Sequence, residues 1–141
     1  MSPAHNAAAT SAAYVDSERV PVRTVDSLGL VAPGDRVYLK VDVQGFEARV
    51  LDGALATLRS TEAVELELSF RELYDGQELA GELIERLRRE GFYLSMLGGA
   101  AFRDPQSGEL LSLDGIFERH GLPEKRPLPL ERASSLALEP D

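Results

Sequence analysis

The 141-residue chain contains no cysteine and no tryptophan. Without thiols there is no disulfide framework, no thiolate zinc site and no cysteine nucleophile. Its two histidines, His5 and His120, stand near opposite ends without companions at ligand spacing, so no metal site is expected. Serines are scattered without the G-x-S-x-G elbow of many hydrolases. Glycine is present twelve times, yet no two glycines have G-x-G spacing, which removes the fingerprint of a dinucleotide-binding turn. Basic residues are in the minority, 15 Lys+Arg against 24 Asp+Glu for a net charge of −9. A chain so acidic is not built to bind nucleic-acid backbones. No apolar run approaches the roughly 18 residues of a membrane span, and the Ala-rich start lacks the basic and apolar regions of a signal peptide. The expectation is a single cytoplasmic domain that engages neither nucleic acid nor membrane.

What is present is a repeated change of hydrophobic period. Residues 1–18 have no sustained period and read as a loose lead-in. Arg19 to Val25 alternates as a short extended segment, but Pro21 cannot donate to a ladder and places it at an edge or outside the sheet. Asp26 and Ser27 then suit the cap of one short turn. Val37–Val43 is the strongest strand, with Lys40 and Asp42 as its only charges. Phe46, Val50, Leu51, Ala54 and Leu58 fall on one helical face. Val64, Leu66, Leu68 and Phe70 alternate with Glu65, Glu67 and Ser69, a strand polar on one side. Glu78–Glu90 returns to helical period, with Glu82–Arg86 and Glu85–Arg89 as i,i+4 pairs and Gly91 as its stop. Strands at 92–97 and 110–117 flank the turn chemistry of Asp104-Pro105-Gln106-Ser107-Gly108 and read as an antiparallel hairpin. Residues 121–141 hold prolines and mixed charge without period and read as a disordered tail. The order predicts an α/β fold whose partly parallel sheet is finished by an antiparallel pair.

Ligands of open α/β sheets bind beyond the carboxyl ends of the strands. Two places answer to that rule: Asp42-Val43-Gln44-Gly45, and Glu67 to Phe70 with the following Arg71-Glu72-Leu73-Tyr74. Asp42 ends an apolar strand, where an unpaired carboxylate is costly to bury; it is either a site residue or a solvated strand end capping the next helix. Glu47 suits the first helical turn whatever the function. Glu65 and Glu67 are either a solvent-facing stripe or a pair of acids that raise each other's pKa. Gly45 alone does no more than permit a tight strand-to-helix turn.

The runs V-P-V-R-T-V-D-S-L and V-Y-L-K-V-D-V-Q-G-F-E-A-R-V-L-D-G-A carry a resemblance to a known family. Lys40, Asp42, Gln44, Gly45, Glu47, Val50, Leu51, Gly53 and Ala54 match in register the block that marks the FkbM family of S-adenosylmethionine-dependent methyltransferases. Weaker similarity extends through Glu67–Phe70, Leu73–Gln77 and Leu113–Phe117, so that it covers about residues 19–120. The resemblance implies methyl transfer from S-adenosylmethionine to a hydroxyl on a sugar, polyketide or related small molecule. It implies a partial Rossmann-like methyltransferase sheet, with strands 37–43 and 63–70 as its fourth and fifth and the hairpin at its edge. It assigns Asp42, Gln44 and Glu47 to the catalytic rim and Glu67 and Tyr74 to the acceptor side. Members carry a glycine-rich donor-binding unit upstream of the matching run, so this chain is expected to be a truncated C-terminal half that binds the donor weakly by itself. The open strand 37–43 is then expected to self-associate or to take a partner supplying the missing half. The alternative is a non-catalytic or vestigial binding module that keeps the fold.

Overall fold

A computed structural model describes residues 16–121; the expectations for residues 1–15 and for 122–141 lie outside them. Four strands make one mixed sheet in the order β1-β2-β4-β3, where β1 is Val37–Val41, β2 Thr61–Ser69, β3 Phe92–Arg103 and β4 Leu110–Arg119. β1 and β2 are parallel, whereas β2–β4 and β3–β4 are antiparallel. The parallel character is therefore confined to one pairing, and the last strand enters the sheet between β2 and β3. Parallel neighbours need a crossover, supplied by the short helices α1 (Glu47–Asp52) and α2 (Leu55–Ser60). Helix α3 (Ala80–Arg89) connects β2 to β3.

All three helices bury their apolar stripes in one core. Leu51, Ala54, Leu58, Leu83 and Leu87 meet Val41, Val64, Leu66, Leu68, Phe92 and Phe117 from the sheet. Period-2 alternation sends Val64, Leu66 and Leu68 to that side and Glu65 and Glu67 to the other. The second face, with Tyr38, Lys40, Glu65, Glu67, Asp114 and Ile116, carries no helix among the described residues. Gly115 lies on the core side because Leu68 packs where its Cβ would be, 2.6 Å from Leu68 Cδ1.

Arg19–Val25 runs outside the sheet, one of the two placements expected for it, with Val20 and Val22 exposed. Other sequence expectations are corrected. The single helix expected from Phe46 to Leu58 is two, and Phe46 itself is exposed. The break is caused by the preceding turn. Asp26 N–H takes the Gly53 carbonyl at 2.9 Å, and Thr24 packs where a side chain at Gly53 would stand. The Asp26 carboxylate then accepts from Ala56 N–H, Thr57 N–H and Thr57 Oγ1, each at 2.8 Å, capping α2 across 30 residues of sequence. Thr24, not Asp26, holds the 3-10 turn Asp26–Leu28, since Ser27 N–H donates to Thr24 Oγ1.

On α3, Glu85 pairs with Arg89 as expected, but Glu82 does not pair with Arg86. Glu82 turns back to accept from Leu79 N–H at 2.8 Å, and Arg86 bridges Glu78 and Asp52 instead. Strand 92–97 runs on to Arg103 through a bulged Gly98–Ala101 stretch. The hairpin turn is closed by Asp104, which accepts from Gln106 and Ser107 N–H.

Candidate functional site

The carboxyl ends of β1 and β2 lie side by side, and the candidate residues collect there. β1 stops at Val41, which pairs with Leu66. Asp42, the next residue, is exposed just past the strand end, on the Glu67 side of that pair. Glu67 in turn pairs with Asp114 on β4, and Asp114 with Gly98 on β3. Glu67 and Asp114 thus lie side by side on the helix-free face of the sheet, with Asp42 just beyond the end of the neighbouring strand. Asp114 is pressed against the β3 backbone, where a side chain on Gly99 would collide with its Oδ2.

Glu67 is half-buried and accepts from the buried Ser112 hydroxyl at 2.6 Å. Burial pushes the Glu67 carboxyl above its ordinary pKa. The Ser112 hydrogen bond offsets part of the rise, and the negative charges of Glu47, Asp42 and Asp114 add to it. Among the described residues no group of three or more possible ligands is arranged to hold a metal ion.

The strand-to-helix turn has its own construction. Gln44 adopts φ +52° and Gly45 φ +99°, two consecutive left-handed residues that reverse the chain before α1. Glu47, 3% exposed, directs both carboxylate oxygens at Gly45 N–H, at 3.1 and 3.0 Å. Tyr74 covers the turn, its Cβ and Cγ occupying the space a Gly45 side chain would need. Tyr74 is itself held by Gln77, whose Oε1 accepts from Leu73 and Tyr74 N–H at 2.5 and 2.7 Å. Asp42, Gln44, Glu47 and Tyr74 are therefore brought together at one turn, with Glu67 beside them on the sheet. Gln44 stays exposed, whereas Glu47 is enclosed and braces the turn.

Sequence reasoning did not pick out Ser112, Asp114 or Gln77. The first two had a signal in the alternation of Leu111, Leu113 and Gly115 against Ser112, Asp114 and Ile116. Nearer the start of β1, Glu65 accepts from Lys40 Nζ at 2.6 Å and from the Tyr38 hydroxyl. These partners hold the Glu65 carboxyl below its ordinary pKa, the opposite of Glu67 two residues on.

The described residues form a mixed α/β sheet with polar groups gathered beyond the ends of its parallel strands, the position at which open α/β sheets bind ligands. The chain belongs to the FkbM methyltransferase family: the family described as Methyltransferase FkbM domain matches residues 1–94 of the 141. That match takes in the Asp42–Glu47 turn, Glu67 and Tyr74, and stops within β3. No curated protein and no solved structure matches the chain.

Proposed function

We propose that the described residues form the acceptor side of an S-adenosylmethionine-dependent O-methyltransferase, acting on the hydroxyl of a sugar, polyketide or similar small molecule. The observation that carries this reading is the placement of Asp42, exposed at the end of β1, beside a Glu67 that retains its proton more readily than an ordinary carboxyl. Asp42 orients the hydroxyl by accepting its hydrogen bond, and Glu67 is the neighbouring group with raised proton affinity. Gln44 offers an exposed amide on the same turn. The strand order β1-β2-β4-β3 and the K-V-D-V-Q-G block support reading these strands as the fourth onward of a methyltransferase sheet.

S-adenosylmethionine supplies the methyl group to such reactions. The described residues do not fit it: the glycine of the β1–α1 turn, Gly45, is covered by Tyr74 and presents no bare backbone to a nucleoside. The same covered turn is what favours the second reading, a binding module that keeps the acceptor pocket without catalysis.

Saturation-transfer NMR of the chain with a panel of monosaccharides, alongside calorimetry with S-adenosylmethionine, tests the proposal. Sugar binding that Asp42→Asn weakens is the expected result, together with little donor affinity. Sugars that bind equally well to Asp42→Asn, or none that bind, would overturn the assignment. Tight donor binding would show that the described turn is not what decides donor affinity.

A further inference from the structure

Ser112 is fully buried on β4, and the family match ends before it, within β3. A hydroxyl shut away from water has to find a hydrogen-bond partner. Its partner is the Glu67 carboxylate on the neighbouring strand, which accepts at 2.6 Å, a length typical of a hydroxyl donating to an ionised oxygen.

The register gives that bond a direction. Glu67 stands opposite Asp114, whereas Ser112 stands opposite Ser69, two residues nearer the carboxyl end of β2. Ser112 is thus a diagonal neighbour, within reach of a long side chain. To meet it, the Glu67 side chain leans toward the carboxyl end of its strand, where Asp42 and the Gln44-Gly45 turn lie. It leans away from Lys40, which stands opposite Glu65 and is held by it at 2.6 Å. The other charged groups around Glu67 are acids: Asp42 beyond β1, Glu47 on α1 and Asp114 on β4. Among the described residues, Ser112 is the only side chain hydrogen-bonded to Glu67, and Oε2 accepts no hydrogen bond.

Val41 against Leu66 is the last rung between β1 and β2. Asp42 and Glu67 each follow that rung, so their side chains leave adjacent strands at one level, from backbones roughly 4.8 Å apart. A lone hydroxyl has one proton and satisfies one of the two carboxylates. Two hydroxyls on adjacent carbons satisfy both.

We propose that Ser112 is the positioning residue of the candidate site: by holding Glu67 Oε1 it leaves Oε2 to the hydroxyl beside the one held by Asp42, so that the site selects a vicinal diol, as on a sugar ring. Its role rests on the acceptor reading above and supplies the selectivity which that reading lacks.

Saturation-transfer NMR with glucose, galactose and mannose tests this role, together with a carbon-13 pH titration of the Glu67 carboxyl, assigned through Glu67→Gln. Ser112→Ala removes a single oxygen. Sugar affinity is expected to fall by about tenfold in that variant, and the Glu67 midpoint to move up, because the bond that favours its ionised form is gone. Ser112→Thr keeps the hydroxyl and restores both. On the wild-type chain, trans-1,2-cyclohexanediol displaces the sugar and cyclohexanol does not. A Glu67 midpoint that Ser112→Ala leaves in place overturns the role of Ser112, as does unchanged sugar affinity or equal displacement by cyclohexanol; weaker sugar binding by Asp42→Asn would still uphold the acceptor reading in each of those cases. A wild-type chain that binds none of the sugars overturns the acceptor reading, and the role of Ser112 with it.

Discussion

Replacing Gly45 by alanine asks one added carbon to fit where Tyr74 already stands. A Cβ at position 45 would lie 2.6 Å from Tyr74 Cβ, 2.8 Å from Cγ and 3.0 Å from Cδ2. The nearest of these atoms sits next to the Tyr74 backbone and cannot rotate away, so the loop held by Gln77 has to move. Overpacking of this kind costs about 1–3 kcal/mol. The backbone at φ +99° adds a left-handed penalty of about 1–2 kcal/mol for any residue with a side chain. Stiffening of the unfolded chain returns about 0.4–1 kcal/mol, leaving a net loss of about 3 kcal/mol at the middle of these ranges. Gly76 is the internal control. It has φ +73° but nothing within 4 Å of its added Cβ, so Gly76→Ala is expected to cost about 1 kcal/mol. Urea unfolding followed by far-UV circular dichroism separates the two. With a slope of roughly 1–2 kcal/mol per molar for a small protein, the Gly45→Ala midpoint falls by about 1–3 M. Equal midpoints for the two variants would refute the argument that Tyr74 seals the turn.

Arg119 donates to the carbonyls of Thr61, Glu90 and Leu58 and lies 4.3 Å over the Phe92 ring. Arg119→Ala is therefore expected to lose about 2–4 kcal/mol in the same unfolding assay, and Arg119→Lys to recover little of it, because an ammonium cannot span three carbonyls. Asp26 has its pKa lowered by the backbone hydrogen bonds of Ala56 and Thr57. Its contribution is thus present above the unfolded-state value and disappears as pH falls through the lower folded-state value. Asp26→Asn should melt below the wild type at neutral pH and converge with it in acid. Glu67 is the reverse case. Its raised pKa means that the folded chain holds the proton more tightly, so stability declines as pH rises from the unfolded-state value through the folded one. Glu67→Gln should therefore melt above the wild type at neutral pH and lose that advantage in mild acid; an advantage that persists at low pH would contradict the cause assigned to the shift.

The strands and α3 were legible because a two-residue or 3.6-residue period is local. Val64-Glu65-Leu66-Glu67-Leu68 states both its form and its buried face. The turn at Asp104–Gly108 was legible for a similar reason, since Asp104 closes it with its own neighbours. The split between α1 and α2 was not, because its cause is Asp26, far along the chain, removing the Gly53 carbonyl from the helical ladder. Arg86 shows the same limit: spacing offers it Glu82, whereas tertiary contact gives it Glu78 and Asp52. At the site, Asp42 and Gln44 followed from the rule about strand ends. The pairing of Glu67 with Ser112 required the meeting of β2 with a strand that begins more than 40 residues later.

The position of β4 also governs the order in which this fold is completed during synthesis. β3 leaves the ribosome before β4, yet among the described residues has no partner in the sheet except β4. Until Leu110–Arg119 has emerged, β2 keeps one flank unpaired, Phe92 lacks the Phe117 side of its core, and Arg119 has not yet tied the ends of α2 and α3. The nascent chain therefore exposes the apolar centre of this sheet until β4 arrives, and this interval is when a chaperone has most to shield.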